Sequence, residues 1–242
     1  MEIKGLSEKY SFREAVPVWE KGKEKEKNQS LIFRAVIEGN EEIKISIASH
    51  SRYQIFVDGV FFAAGPARAG HGFYRVSEYT LGKELSEKET VITILAAGYN
   101  VNSFYLLDEP SFLCAEIERN GSVICATGKD GFEAARFNSR IQKTPRYSFQ
   151  RPFTECYILD AYYDIFMTDP GTVLTPVETE ATEHKNFITR NVPYCLYTER
   201  KVKEIISKGI LIPDKNRRYF KDRSLTGICD TLGGFPEKEL DS

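Results

Sequence analysis

The chain has 242 residues and a formal net charge of −2, a length that suits one large β domain, or one medium domain and part of another. Basic and acidic residues nearly balance and no basic stripe stands out, which argues against a nucleic-acid partner, and no apolar run approaches the length of a membrane span. Aromatic residues make up 12% of the chain, with 16 Phe and 13 Tyr against one Trp, a bias towards strands.

In chain order, "MEIKGLSEKYSF" has no apolar signal-peptide core, so a cytoplasmic location is expected. "KGKEKEK" (21–27) alternates in sign and reads as a solvated loop or strand edge. Strand signals then dominate. "LIFRAVIE" (31–38) is apolar and β-branched. "EIKISIAS" (42–49) alternates, with Ile43, Ile45 and Ile47 on one face and Lys44 and Ser46 on the other. In "RYQIFVDGVFFAAG" (52–65) the pair Asp58-Gly59 is the preferred two-residue turn of a hairpin, flanked by alternating apolar residues. "TVITILAAGYN" (90–100) reads as a strand buried on both faces. "FLCAEIERNGSVICATG" (112–128) is a second hairpin, turning at Asn120-Gly121. Seven or more short strands joined by turn chemistry predict an all-β sandwich.

The pattern changes near residue 140. "KTPRYSFQRPF" (143–153) reads as a crossing segment and "ECYILDAYYDIF" (155–166) as a further strand. "TERKVKEIISKG" (198–209) is the one predicted helix, with Thr198 as its cap, Val202, Ile205 and Ile206 on one face and Gly209 at its end. The domains expected are a sandwich over 10–165 and a C-terminal extension or incomplete second domain over 166–242. The aromatics Phe187, Tyr194, Tyr197, Tyr219 and Phe235 of that extension would dock on the sandwich or on another domain. Five cysteines (114, 125, 156, 195 and 229) are widely spaced without a CxxC, which predicts free thiols in a reducing compartment, most of them core fillers.

Two loops carry candidate chemistry. "GPARAGHGFYRV" (65–76) places Arg68, His71, Tyr74 and Arg75 on a permissive backbone. An arginine fork and an imidazole suit sugar hydroxyls, and Tyr74 or Phe73 suits the apolar face of a pyranose. The competing reading is a glycine-built corner whose Arg68 pairs with a structural carboxylate or a neighbouring domain. "GYNVNSFYLLDEP" (98–110) mixes Tyr99, Asn100, Asn102, Tyr105 and Asp108, the ring-and-amide chemistry of a carbohydrate site and also that of an ordinary exposed loop. Carbohydrate binding by Arg68, His71, Tyr74, Tyr99, Asn100 and Asn102 requires the two loops to converge at one end of the sandwich. Asp160, Asp164 and Asp169 are the candidate acidic pair of a small sandwich hydrolase or lyase. His50, His71 and His184 have no ligand spacing, so no transition-metal site is expected. Backbone carbonyls with Asp or Asn would suit calcium, but no diagnostic spacing is present, so no metal is assigned. No nucleotide or nucleophile motif is present, so no cofactor is expected.

The stretches "SRYQIFVDGVFFAAGPARAGHGFYRVSEYTL" (51–81) and "VITILAAGYNVNSFYLLDEPSFLCAEIERNGSVICATG" (91–128), followed by "SFQRPFTECY" (148–157), resemble the N-terminal β-sandwich region of bacterial α-L-rhamnosidases and related glycoside hydrolases. The resemblance covers about the first two-thirds of the chain. It implies a galactose-binding-like jelly roll that accompanies a catalytic α/α barrel, where hydrolysis is by inversion. One predicted helix cannot build that barrel, so no catalytic residue is carried over. The role implied is a non-catalytic accessory module, carbohydrate-binding or scaffolding, whose partners are the absent barrel and a rhamnose-containing glycan. The alternatives are a stand-alone protein-interaction module and a small glycosidase or lyase with its own acidic pair.

Overall fold

The computed structural model describes residues 7–82, 84–146, 148–198, 200–210 and 233–240. Two sheets face each other. The first contains β1 (Val18–Glu20), β3 (Ile43–His50), β6 (Phe73–Leu81), β8 (Phe112–Arg119), β9 (Ser122–Ala126), β11 (Thr179–Ala181) and β12 (Asn186–Thr189). Its order is β11-β1-β8-β3-β6-β12, with β9 also on β8. The second contains β2 (Gln29–Glu38), β4 (Arg52–Val57), β5 (Val60–Gly65), β7 (Glu89–Gly98) and β10 (Glu133–Arg136), in the order β10-β2-β7-β4-β5. The chain crosses repeatedly between the sheets, as in a jelly roll, and the expected all-β sandwich is the observed fold. Only the β12–β6 pair is parallel among the named pairings.

Alternation fills the space between the sheets. Ile43, Ile45 and Ile47 of β3 meet Leu31 and Phe33 of β2 and Ile55 of β4 in one buried cluster. The turn between β4 and β5 is set locally: Asp58 and Gly59 have φ of 46° and 75°, the left-handed pair that continues the twist of the flanking strands. Strand β7 lies in the middle of its sheet, and even its Thr90 and Thr93 are buried, as the continuous apolar run predicts. Trp19, fully buried, donates its indole N–H to Gln29 at 2.6 Å, and Gln29 donates to Glu20 at 2.5 Å. Glu20 is held in turn by a bidentate Arg136.

The outer faces are partly covered as well. On the first sheet, Tyr10, Phe12 and Phe187 pack over Ala48, Val76 and Phe112. The N-terminal segment is fixed there by Glu116, whose buried carboxylate accepts the backbone N–H groups of Arg13, Glu14 and Ala15 at 3.0–3.1 Å. On the second sheet, Phe166 and Met167 cover Ile32 and Phe137.

Several expectations are corrected. Residues 155–166 form no strand. They touch the sandwich backbone through one bridge, Tyr157 to Arg140, and end in a single 3-10 turn at Ile165–Met167. Most of this stretch is exposed, and its end, Phe166, packs on the second sheet. The helix expected over 198–209 is absent from 198 and 200–209. A helix of that length is marginal in water unless it buries a face, and Val202, Ile205 and Ile206 are all exposed. The sandwich also runs past residue 165, because β11 pairs with β1 and β12 with β6. Cys114 and Cys125 are buried, whereas Cys156 and Cys195 are exposed; Cys229 and Tyr219 lie outside the described residues. Phe187 and Phe235 are packed into clusters of the sandwich, and Tyr194 and Tyr197 pack edge-on against Tyr79 and Phe61.

Candidate binding groove

The loops 65–75 and 99–109 converge. Together with Arg140, Glu155, Tyr157 and residues of the 190–197 segment they enclose an open groove of about 900 Å³. Its floor is the outer face of the second sheet, where Arg52 pairs with Ala97 and Gln54 with Leu95 across β4 and β7. Alternation places these side chains outside because their neighbours Tyr53 and Ile55 point into the core.

Four of the six expected residues, Arg68, His71, Tyr74 and Tyr99, line this groove. Arg68 lies over the ring of Tyr105 with its guanidinium carbon 5.6 Å from the centroid, and Arg52 lies over the same ring at 5.1 Å. A tight turn presents that ring: Ser103 Oγ accepts the N–H groups of Tyr105 and Leu106, and Ser103 N–H donates to the Leu106 carbonyl. His71 is exposed on the rim. Tyr74 packs edge-on against Phe112, and its hydroxyl donates to Glu109 at 2.6 Å. Burial, then the hydrogen bond and charge of Glu109, push that phenol well above its usual range. It therefore stays protonated and positions Glu109.

Tyr99 belongs to a tighter cluster. Arg140 grips Glu155 with two bonds of 2.8 and 2.9 Å, and Tyr99 and Tyr157 each donate a hydroxyl to the same carboxylate at 2.9 Å. Arg140 also lies over the Tyr99 ring. Burial works to raise the Glu155 carboxyl, but the bonds and charge of Arg140, with those from the two tyrosines, outweigh it and hold the group below the usual carboxylate range. Glu155 is thus an ionised anchor for this wall.

The other two residues serve the fold. Asn100 is 2% exposed, and its amide donates to the carbonyls of Glu24 and Glu26 and to Ser111 Oγ. It ties the "KGKEKEK" loop to the sandwich beneath the groove, which corrects its expected role as a ligand contact. Asn102 accepts the backbone N–H of Asp108 at 3.0 Å through its side-chain oxygen, and its own carbonyl accepts from Arg146. It shapes the loop, and neither residue lines the groove. Arg75 is a latch: it donates to the Arg68 carbonyl at 2.7 Å and to Ser7 and Asn191, joining the loop to the segment after β12.

Sequence reasoning named Phe73 but missed Phe104, the most exposed ring of the groove. Phe104 is 67% and Phe73 49% exposed, and both line the groove. Large aromatics left in water inside polar loops were the available signal. None of Asp160, Asp164 and Asp169 lines the groove; Asp160 and Asp169 bond their own turns, accepting from Tyr162 N and from Gly171 N and Thr172 Oγ1. The glutamates at the groove are Glu109 and Glu155. Among the described residues, no three His, Cys, Asp or Glu side chains gather as metal ligands do.

No protein-family profile matches this sequence, and no curated protein does. Solved structures share the fold. A GH78 family rhamnosidase from Bacillus sp. GL1 is 22% identical, with a TM-score of 0.64 over 77% of this chain and 20% of that one. The native α-L-rhamnosidase from Aspergillus terreus is 11% identical, with a TM-score of 0.52 over 71% of this chain and 21% of that one. At these identities the likeness is one of fold, and this chain spans about a fifth of the length of each rhamnosidase.

Proposed function

We propose that this chain is a non-catalytic accessory β-sandwich of an α-L-rhamnosidase-like glycoside hydrolase, and that its groove binds a carbohydrate. The carrying observation is the convergence of the 65–75 and 99–109 loops into one groove that sets the exposed rings of Phe73 and Phe104 beside the donors of Arg52, Arg68 and His71. A pyranose offers an apolar C–H face to such rings and hydroxyls to such donors, and a mostly preformed concave site limits the ordering cost of binding. The resemblance to rhamnosidases favours a rhamnose-containing glycan among the ligands.

The test is a glycan array that includes rhamnose-containing oligosaccharides, followed by calorimetry on the glycans retained. Phe104→Ala and Phe73→Ala remove exposed rings at little cost to folding, and each is expected to weaken binding by about tenfold, the scale of one stacking contact. Retention of no glycan, or binding indifferent to both changes, would sink the reading.

A second reading, an interaction or scaffolding module, rests on Leu196, Val202, Ile206 and Ile210, four apolar side chains that are each largely exposed. It gains if Leu196→Ser and Ile206→Ser leave glycan binding intact but abolish association with a rhamnosidase catalytic domain supplied in trans.

A further inference from the structure

Five arginines line the groove against two glutamates. Three of the five are saturated by the protein. Arg140 is spent on Glu155, Asn28 and Ser30. Arg75 is spent on Arg68, Ser7 and Asn191. Arg190 donates to Ser77, Val192 and Pro193 and stacks on Tyr194 at 4.0 Å.

Arg52 and Arg68 differ. Neither guanidinium has a hydrogen-bond or carboxylate partner among the described residues, and the side-chain contact each makes is with the ring of Tyr105. Contact with the face of a ring spends none of a guanidinium's N–H donors on a hydrogen-bond acceptor, so they stay available to a ligand. Two like charges, one from strand β4 and one from the 65–75 loop, thereby lie over one ring. An anion that takes up their free donors offsets this like charge, and a carboxylate matches the fork geometry of a guanidinium bidentately.

We infer that the groove takes an acidic saccharide, one bearing a uronate carboxylate, and that Arg52 and Arg68 are the carboxylate-binding pair, with Tyr105 as their positioning ring. This rests on the carbohydrate reading above and narrows it to a ligand class. Phe104 and Phe73 then flank the sugar that carries the charge, so stacking and ion pairing act on one residue of the glycan. Binding weakens as salt rises, since both arginines are solvent-exposed and screened.

The test uses an array printed with neutral, uronate-bearing and sulfated oligosaccharides, and then calorimetry with each acidic hit and its methyl ester. Uronate glycans are expected to dominate the hits. Methyl esterification, Arg52→Gln and Arg68→Gln are each expected to weaken binding by about tenfold or more, the scale of a charge-assisted contact, while thermal melts of the two variants match the parent. Neutral glycans bound as tightly as acidic ones, or hits unmoved by either substitution, would overturn the acidic preference and leave the carbohydrate reading standing. Preference for sulfated glycans would overturn the carboxylate assignment. Retention of no glycan would bring down both.

Discussion

Glu116 and His50 show how single buried polar groups hold this molecule in shape. Glu116 is buried and satisfies three consecutive backbone donors, of which that of Ala15 is itself buried. Glu116→Ala leaves the Ala15 donor unpaired in a buried site, and at about 1–3 kcal/mol for such a group the variant should lose about 1–3 kcal/mol in denaturant unfolding. Hydrogen exchange should localise the damage to Arg13–Ala15. His50 caps β3 with Nε2 3.0 Å from the Leu107 carbonyl at the groove wall. Burial pulls its imidazole below the ordinary value of 6.5, with Lys185 acting the same way, and the Leu107 carbonyl, Glu109 and Asp108 oppose the shift without reversing it. The unfolded chain therefore holds more protons than the native state between 6.5 and the depressed value. Stability is full above pH 6.5 and is lost as pH falls through that window. Denaturation midpoints of the parent at pH 7.5 and 5.5 should show this loss, and His50→Gln should remove part of the slope.

At the scale of elements, the close approach of β7 to the start of β8 is a stringent fit. A Cβ on Gly98 would lie 2.0 Å from Ser111 Oγ and 2.7 Å from Ser111 Cβ, with the Trp19 ring at 3.1 Å. Ser111 cannot yield freely, since its Oγ accepts from Asn100 in a buried site. Gly98→Ala should cost about 1–3 kcal/mol, the usual penalty of overpacking, read as a lowered denaturant midpoint at unchanged slope. Elements also show where local pattern and tertiary context part. The Asp58-Gly59 hairpin, the alternation of β3 and the unbroken apolar run of β7 are encoded within a dozen residues each, so they are legible. The short strands β1, β11 and β12 have three or four residues and exist because a sheet edge is present to receive them. The helical pattern of 198–209 had the right periodicity and capping, but no described surface for its apolar face to bury.

For the whole molecule, the groove is a consequence of assembly. Its floor comes from the outward positions of β4 and β7, and its walls from the 65–75 and 99–109 loops, which are far apart along the chain, and from the later Arg140, Glu155 and 190–197 segments. The sequence pointed to both loops and to Arg68, His71, Tyr74 and Tyr99. It could not separate Asn100 and Asn102, which brace the loop, from residues that face the ligand, because an amide in a polar loop has the same local signature in either role. Nor could it pair Arg140 with Glu155, or bring Arg52 and Arg68 to one tyrosine ring. The predicted outcome at this scale is that the sandwich unfolds as one unit in the presence and absence of ligand, with a ligand-dependent rise in the melting temperature that Phe104→Ala reduces.

By itself the sequence determined the fold class, most of the long strands and the two loops that matter, because hydrophobic alternation and turn chemistry act between near neighbours. Only the tertiary structure decided which polar side chains are consumed in holding those loops and which stay open to a ligand. That distinction depends on partners far away in the chain, and it is set by where the packing of the two sheets leaves each guanidinium, amide and carboxylate.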